Sequence, residues 1–333
     1  MNHPGKLRAL LATLRIANAP SVVSNVFLGF MLGWIYDRDY WNPASMHWHE
    51  AAIACLAGLM LYFSGNLAND WFDRSWDAEK RPERALPSGL FRPASYIGFS
   101  TLLAGGGIVS AFCLHFFSGV TAVVISLLVA TYTYFHKRTI WAVIPMGLCR
   151  AGLYFLGFFA SWFTPEDLES LASNHLDTTS MILGRLETPA ILAAGLFFYI
   201  MGLSLSARYE GMENPPQGPK VISLMLLLLP IPAMSSSFMG YHPLSGVVGM
   251  IPFTLWLGLC LTRFKKPIPR YVSALLAGIP LVDLIAAIPI ASGLEEHLIE
   301  LEWSDLPHFV TMITVPVVTF IAGRALQKLA PAT

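Results

Sequence analysis

Apolar residues in this chain gather into ten uninterrupted runs, roughly 19–36, 51–69, 95–114, 117–135, 140–163, 189–206, 219–239, 244–262, 271–292 and 308–326. A run of about twenty such residues is what a helix needs to cross a ~30 Å hydrocarbon layer. The runs lack the two-residue alternation of a lipid-facing barrel wall, so helices are expected and strands are not. Composition agrees, with 55% of residues hydrophobic and 13% charged, about half the ~25% charge of a soluble domain. A chain this apolar could not cover its own surface in water. The expected fold is all-α: a polytopic membrane helical bundle of ten spans, or nine if one run is re-entrant, forming a single domain over residues 1–333.

Net charge is zero, from 21 basic and 21 acidic residues, which says nothing about a nucleic-acid partner; the distribution of charge carries the information, and the expected partners are lipid and lipophilic substrates, with no nucleic acid. With the N-terminus in the cytoplasm, all but three of the 21 Lys and Arg fall on that side or at its edge; the exceptions are Arg38, Arg185 and the intramembrane Arg150. Acids dominate the opposite loops, among them Glu166, Asp167 and Glu169, then Glu295, Glu296 and Glu300. This positive-inside bias places both termini in the cytoplasm and the protein in the inner or plasma membrane. Residues 5–18 read as a short interfacial helix before a first run that stays in the protein as an anchor. Cys55, Cys113, Cys149 and Cys260 lie in separate apolar runs without ligand spacing, so neither a disulfide framework nor a zinc site is expected.

One cytoplasmic segment stands apart. Residues 66–89 read NLANDWFDRSWDAEKRPERALPSG. On a helix continuing from the second span, Asn69, Asp73 and Asp77 drift only about 80° around the axis and form one stripe, with Asp70 at its edge. Carboxylates four residues apart on one face repel each other, so the stripe makes sense where a cation occupies it. Oxygen donors at this spacing suit Mg²⁺, which takes few protein carboxylates and completes its shell with substrate phosphates. Lys80, Arg81 and Arg84 follow within two turns and supply phosphate-binding charge. Together they describe a receptor for a metal-bound diphosphate at the membrane surface.

Asn69-Asp70-Trp71-Phe72-Asp73-Arg74-Ser75-Trp76-Asp77 resembles the NDxxDxxxD signature of the UbiA-type intramembrane prenyltransferases. Arg81-Pro82-Glu83-Arg84-Ala85-Leu86-Pro87-Ser88-Gly89 is similar to the tail that follows it. Arg15-Ile16-Ala17-Asn18-Ala19-Pro20 and Tyr132-Thr133-Tyr134-Phe135-His136-Lys137-Arg138 resemble weaker elements of the same family. The resemblance implies two related halves around a central cavity and Mg²⁺-dependent transfer of a prenyl group from a prenyl diphosphate to an aromatic or other lipophilic acceptor. It makes Asp73 and Asp77 the catalytic pair, with Asn69, Asp70, Asp73 and Asp77 toward metal. Arg15, Lys80, Arg81, Arg84, Lys137, Arg138, Arg208 and Lys220 become candidates for the diphosphate. Tyr62, Phe63, Trp71, Tyr132 and Tyr134 fall near the expected mouth, where aromatic faces could stabilise an allylic cation.

The family's second acidic motif, after the sixth span, is altered. Where aspartates stand in the family, this chain has Ser206-Ala207-Arg208-Tyr209-Glu210-Gly211-Met212-Glu213-Asn214-Pro215-Pro216, so Glu210 and Glu213 are the remaining metal candidates. This segment and Cys149-Arg150-Ala151 resemble the EboC-like branch, whose substrates the resemblance does not reveal. Ten spans also exceed the family's usual nine, and 308–326 is the expected addition. Arg150 and Asp283 lie deep within runs, where ionisable groups are costly and face a cavity or a partner, so both are candidates for binding the acceptor. A structural hydrogen bond is an equal alternative for Asp283. His47 and His49 fall on the far side from the charged loops and read as surface residues. Two other readings stay open: a secondary transporter, which would carry charges through the bilayer and not at one interface, and a lapsed relative that binds prenyl lipid without turnover.

Overall fold

The computed structural model describes residues 5–35, 47–161, 178–209, 217–238, 243–297 and 306–330. Every regular element in them is helical: α1 (Lys6–Thr13), α2 (Ala19–Ile35), α3 (Trp48–Lys80), α4 (Pro93–Leu114), α5 (Phe116–Phe135), α6 (Val143–Ala160), α7 (Thr178–Tyr209), α8 (Gln217–Leu228), α9 (Pro230–Phe238), α10 (Pro243–Thr262), α11 (Ile268–Ala277), α12 (Ile279–His297) and α13 (Leu306–Leu326). Among the described residues, nine helical segments are long and apolar enough to cross a membrane, and Val310–Leu326 adds a shorter apolar one. The chain is an integral, multi-pass membrane protein.

Two expected spans are each built from two helices. Pro230 supplies no backbone N–H to the ladder, so the run expected over 219–239 divides into α8 and α9. The run expected over 271–292 breaks at Gly278, between α11 and α12. Carbonyls near the end of α11 find side-chain donors from other helices: Tyr199 Oη donates to Leu275 O at 2.7 Å and Trp256 Nε1 to Ala274 O at 2.8 Å. Both carbonyls also accept from Gly278 N, so this buried helix end is satisfied within the protein.

The interior is built around the first and ninth spans. Within their apolar windows 83% and 89% of residues are buried, against 17% for α4, whose surface is left to lipid. α2 packs against α3, α6, α12 and α13. Its crossing with α6 is close because glycines stand at the contact: a Cβ on Gly29 would lie 2.1 Å from Tyr154 O, and one on Gly157 would lie 1.9 Å from Val26 O. Small residues at helix contacts are how membrane bundles gain packing when lipid supplies no hydrophobic drive between helices.

α3 positions the charged segment. Its 33 residues make a helix of about 50 Å at 1.5 Å per residue, well beyond a ~30 Å hydrocarbon core. The final third therefore extends past the apolar run, with Asn69, Asp73 and Asp77 all buried on its inner face. The N-terminal segment differs from the single interfacial helix expected over 5–18. α1 ends at Thr13 and a one-turn 3₁₀ helix covers Ile16–Asn18, with Arg15 between them at φ 46°. That left-handed conformation is unusual for a residue with a Cβ. Tyr62 Oη holds it by donating to Arg15 O at 3.0 Å, and Asn66 Nδ2 donates to the neighbouring Leu14 O at 2.9 Å.

Candidate active site

A cavity of about 470 Å³ opens between the two halves of the chain. Its walls are mainly apolar: Leu61, Ile125, Val129 and Leu153 from the first half, Ile200, Leu203, Val272 and Leu276 from the second. The charged part of its lining holds Arg15, Arg81, Arg84 and Arg150. Asn69 brings the acidic stripe to the lining, and Tyr62 and Tyr132 bring the aromatic residues. Phe63, Trp71 and Tyr134, also expected near the mouth, are not in the wall.

Beyond Asn69 the stripe is crossed by basic side chains. Lys137 Nζ lies 2.9 Å from Asp73 Oδ1, and His136 Nε2 lies 3.1 Å from Asp73 Oδ2. Arg84 Nη1 donates to Asp77 Oδ2 at 2.9 Å and stands 3.6 Å from Asp70 Oδ1. Arg15 reaches the same Asp70 oxygen at 3.4 Å and donates to Asn66 Oδ1 at 2.7 Å. The stripe, the tail after it, the N-terminal turn and the loop after α5 thus converge on one patch, although they are distant in sequence.

The ring of His136 is the clearest residue that sequence reasoning missed. Its Nδ1 approaches Thr133 O at 3.0 Å. The available signal was its place beside Lys137. Asn66, which lines the cavity and holds both Arg15 and the Leu14 carbonyl, was also missed.

The remaining expected cations are less engaged. Lys80 and Lys220 occupy exposed positions. Arg138 is exposed and stacks 4.3 Å from the centre of the Tyr134 ring. Arg208 is also exposed and donates to Thr139 O at 3.1 Å. Glu210 and Glu213 lie outside the described residues. His47 is exposed beside Glu50, at the opposite end of α3 from the stripe.

Two buried oxygens on the stripe have no hydrogen-bond partner: Asn69 Oδ1 and Asp77 Oδ1. An orphaned buried acceptor costs about 1–3 kcal/mol, and a bound cation would relieve both. Among the described residues no three His, Cys, Asp or Glu side chains converge as a ready cage. Mg²⁺ takes one or two protein carboxylates and relies on substrate phosphate for the rest, so the two unpartnered oxygens suffice as a protein share of its shell. The donor set fits the ion.

Asp283 has two readings, acceptor binding and a structural hydrogen bond. It is fully buried on α12 and absent from the cavity wall. Its oxygens accept from Ser24 Oγ, Tyr154 Oη and Asn25 Nδ2, the last at 2.9 and 3.1 Å. These donors sit on α2 and α6, so the carboxylate ties three helices together, and the geometry favours the structural alternative over acceptor binding. Arg150, by contrast, is in the wall.

A model of the UbiA prenyltransferase family matches residues 40–276. The chain belongs to that family. The digeranylgeranylglyceryl phosphate synthase of Korarchaeum cryptofilum is 29% identical over 157 residues, 47% of this chain and 52% of that protein. Its namesake from Methanococcoides burtonii is 36% identical over 133 residues, 40% of this chain and 47% of its own. The chain spans about half the length of the curated relatives it matches. Among solved structures, one concerning digeranylgeranylglyceryl phosphate synthase superposes with a TM-score of 0.50 at 16% identity, covering 99% of both chains. A UbiA homologue from Archaeoglobus fulgidus bound to GPP and Mg²⁺ gives 0.50 at 12% identity, covering 96% of this chain and 99% of that one. At such identities the structural likeness establishes the shared fold alone.

Proposed function

We propose that this UbiA-family protein transfers a prenyl group from an allylic prenyl diphosphate to a lipophilic acceptor, with Mg²⁺, at the cytoplasmic edge of the bilayer. The observation that carries the proposal is the buried Asn69–Asp73–Asp77 stripe, with two unpartnered oxygens and a ring of cations, at the border of a mainly apolar cavity. The names of the matching relatives, and the GPP and Mg²⁺ in the Archaeoglobus homologue, support a prenyl diphosphate as donor. The positive-inside bias supports a cytoplasmic site and cytoplasmic termini.

Asn69, Asp73 and Asp77 would hold the metal, with Asp70, Glu210 and Glu213 as further oxygen donors. When bound, Mg²⁺ neutralises charge growing on the departing diphosphate. Arg15, Arg81, Arg84 and Lys137 bind phosphate oxygens. For Arg15, Arg84 and Lys137 this means trading a carboxylate partner for a phosphate one, so the site's charge stays balanced in both states. Lys80, Arg138, Arg208 and Lys220 contribute longer-range attraction from exposed positions. The apolar wall keeps water from the allylic cation, which it would otherwise quench. Tyr62 and Tyr132 offer ring faces to that cation.

Membranes holding the protein, incubated with labelled geranyl diphosphate and Mg²⁺, should release diphosphate and form a prenylated lipid-soluble product. Asp73→Asn should abolish release and His47→Ala should leave it intact. Solute counterflow without release would favour a transporter, and tight prenyl-lipid binding without turnover a lapsed relative; either result rejects the proposal.

A further inference from the structure

No Asp or Glu occurs between Glu213 and Asp283, or after Asp305. Within these acid-free stretches stand Arg263, Lys265 and Lys266 in the turn after α10, Arg270 on α11, and Arg324 and Lys328 at the end of α13. Among the described residues, no ion pair includes any of the six. All but Arg324 are exposed. Arg324 is held in one attitude: its Cζ lies 5.2 Å from the centre of the Trp256 ring and 5.5 Å from that of Phe264. Its Nη1 donates to Gln327 Oε1 at 2.6 Å, and Gln327 Nε2 donates to Ser273 O at 2.7 Å. Arg270 rests on the same Phe264 ring, with its Cζ 4.8 Å from the centre. Segments distant in the chain therefore bring two guanidinium groups to one aromatic face.

The positive-inside rule asks for cations on one face of the membrane, but not for two of them to be fixed against one ring. The ring offsets part of their repulsion, and an anion would offset the rest. A guanidinium's planar fork is matched to the paired oxygens of a phosphate. In the turns leading to the cluster, Leu255 and Leu259 on α10 and Val318 and Ile321 on α13 are exposed, an apolar surface suited to acyl chains. The cluster follows these lipid-facing turns, at the depth of a headgroup. A Cβ on Gly323 would lie 3.2 Å from Ala17 O, so this end of α13 abuts the N-terminal turn that carries Arg15, on the same side of the membrane as the acidic stripe. We propose that the cluster binds the phosphate of an anionic phospholipid from that leaflet, as basic pockets between membrane helices do. None of the six basic residues lines the central cavity, and the site does not depend on the prenyl-transfer reading.

The test is native mass spectrometry of the purified full chain in detergent, titrated with dioleoyl phosphatidylglycerol or with zwitterionic dioleoyl phosphatidylcholine. The wild type should hold the anionic lipid about tenfold more tightly. The double variant Arg270→Gln, Arg324→Gln should bring the two lipids near parity. Arg270→Gln alone, at an exposed position outside the Trp256 stack, should lower the preference about threefold and carries the test if the double variant does not fold. Lys6→Gln with Arg8→Gln removes the same charge from exposed positions on α1 and should leave the preference intact. Inorganic phosphate, at ionic strength matched with chloride, should not displace the lipid. Equal retention of both lipids by the wild type, full preference in Arg270→Gln, or an equal loss in the Lys6 and Arg8 variant each overturn the proposal. Displacement by inorganic phosphate does so too, since the site would then take a free anion.

Discussion

Replacing Gly157 with alanine should be among the most damaging single-methyl additions to this protein. Helix propensity alone would favour the change by about 1 kcal/mol, so the sign rests on the crossing of α2 and α6. The added Cβ would meet Val26 O at 1.9 Å and Phe30 N at 2.8 Å, both backbone atoms that no side-chain rotation can move. Ordinary contact begins at 3.4 Å, so the helices must part by roughly 1.5 Å or twist. Overpacking a well-filled interior costs about 1–3 kcal/mol, occasionally more. Here the separation also stretches the bonds that Tyr154, on α6, and Ser24 and Asn25, on α2, make to Asp283. We expect a net loss of about 2 kcal/mol after the propensity gain, read as a fall of several degrees in thermal unfolding of detergent-purified protein. Gly105→Ala, where an added Cβ meets nothing within 4 Å, is the matched control and should be neutral or slightly stabilising. An unfolding temperature for Gly157→Ala equal to that of Gly105→Ala would refute the packing argument.

Other outcomes follow from the same contacts. Asp283→Ala orphans donors on two helices and should cost about 2–5 kcal/mol, the low end set by the ~0.6 kcal/mol typical of an interhelical hydrogen bond in lipid and the high end by unsatisfied buried donors. Its geranyl diphosphate affinity should stay near wild type in samples that remain folded, whereas a site ligand would show the reverse. Lys137→Ala and Arg84→Ala should each weaken geranyl diphosphate binding about tenfold, measured by direct titration with Mg²⁺ present. Chelation should abolish diphosphate release, Mg²⁺ should restore it, and Ca²⁺ should restore little, because the larger ion takes more ligands at longer distances than this site offers.

Much of the bundle can be read from the chain because lipid imposes a simple rule: backbone groups must be satisfied within the segment, so each long apolar run becomes a helix. The stripe was legible for a similar reason. Asn69, Asp73 and Asp77 lie on a single continuous helix, and helical periodicity alone puts them on one face. The break at Leu229 had a local cause in Pro230. The break at Gly278 has a local cause too, in Gly278 and Pro280, although the donors that meet its carbonyls, Tyr199 and Trp256, come from other helices. Pairings across the chain were hidden. Nothing local joins Lys137 to Asp73, or leaves Arg150 facing the cavity while Asp283 is tied behind it. These depend on how the halves pack, and a periodicity argument stops at the boundary of one helix.

The account depends on metal and diphosphate meeting at the inner face of α3. The most direct measurement is the anomalous signal of Mn²⁺ in crystals of the protein grown with a non-hydrolysable geranyl diphosphate analogue. A peak within bonding distance of Asn69 Oδ1 or an oxygen of Asp73 or Asp77, with Arg84 and Lys137 turned onto phosphate, is the predicted result. A peak remote from those three side chains, or an analogue bound with its phosphates away from the stripe, would contradict it.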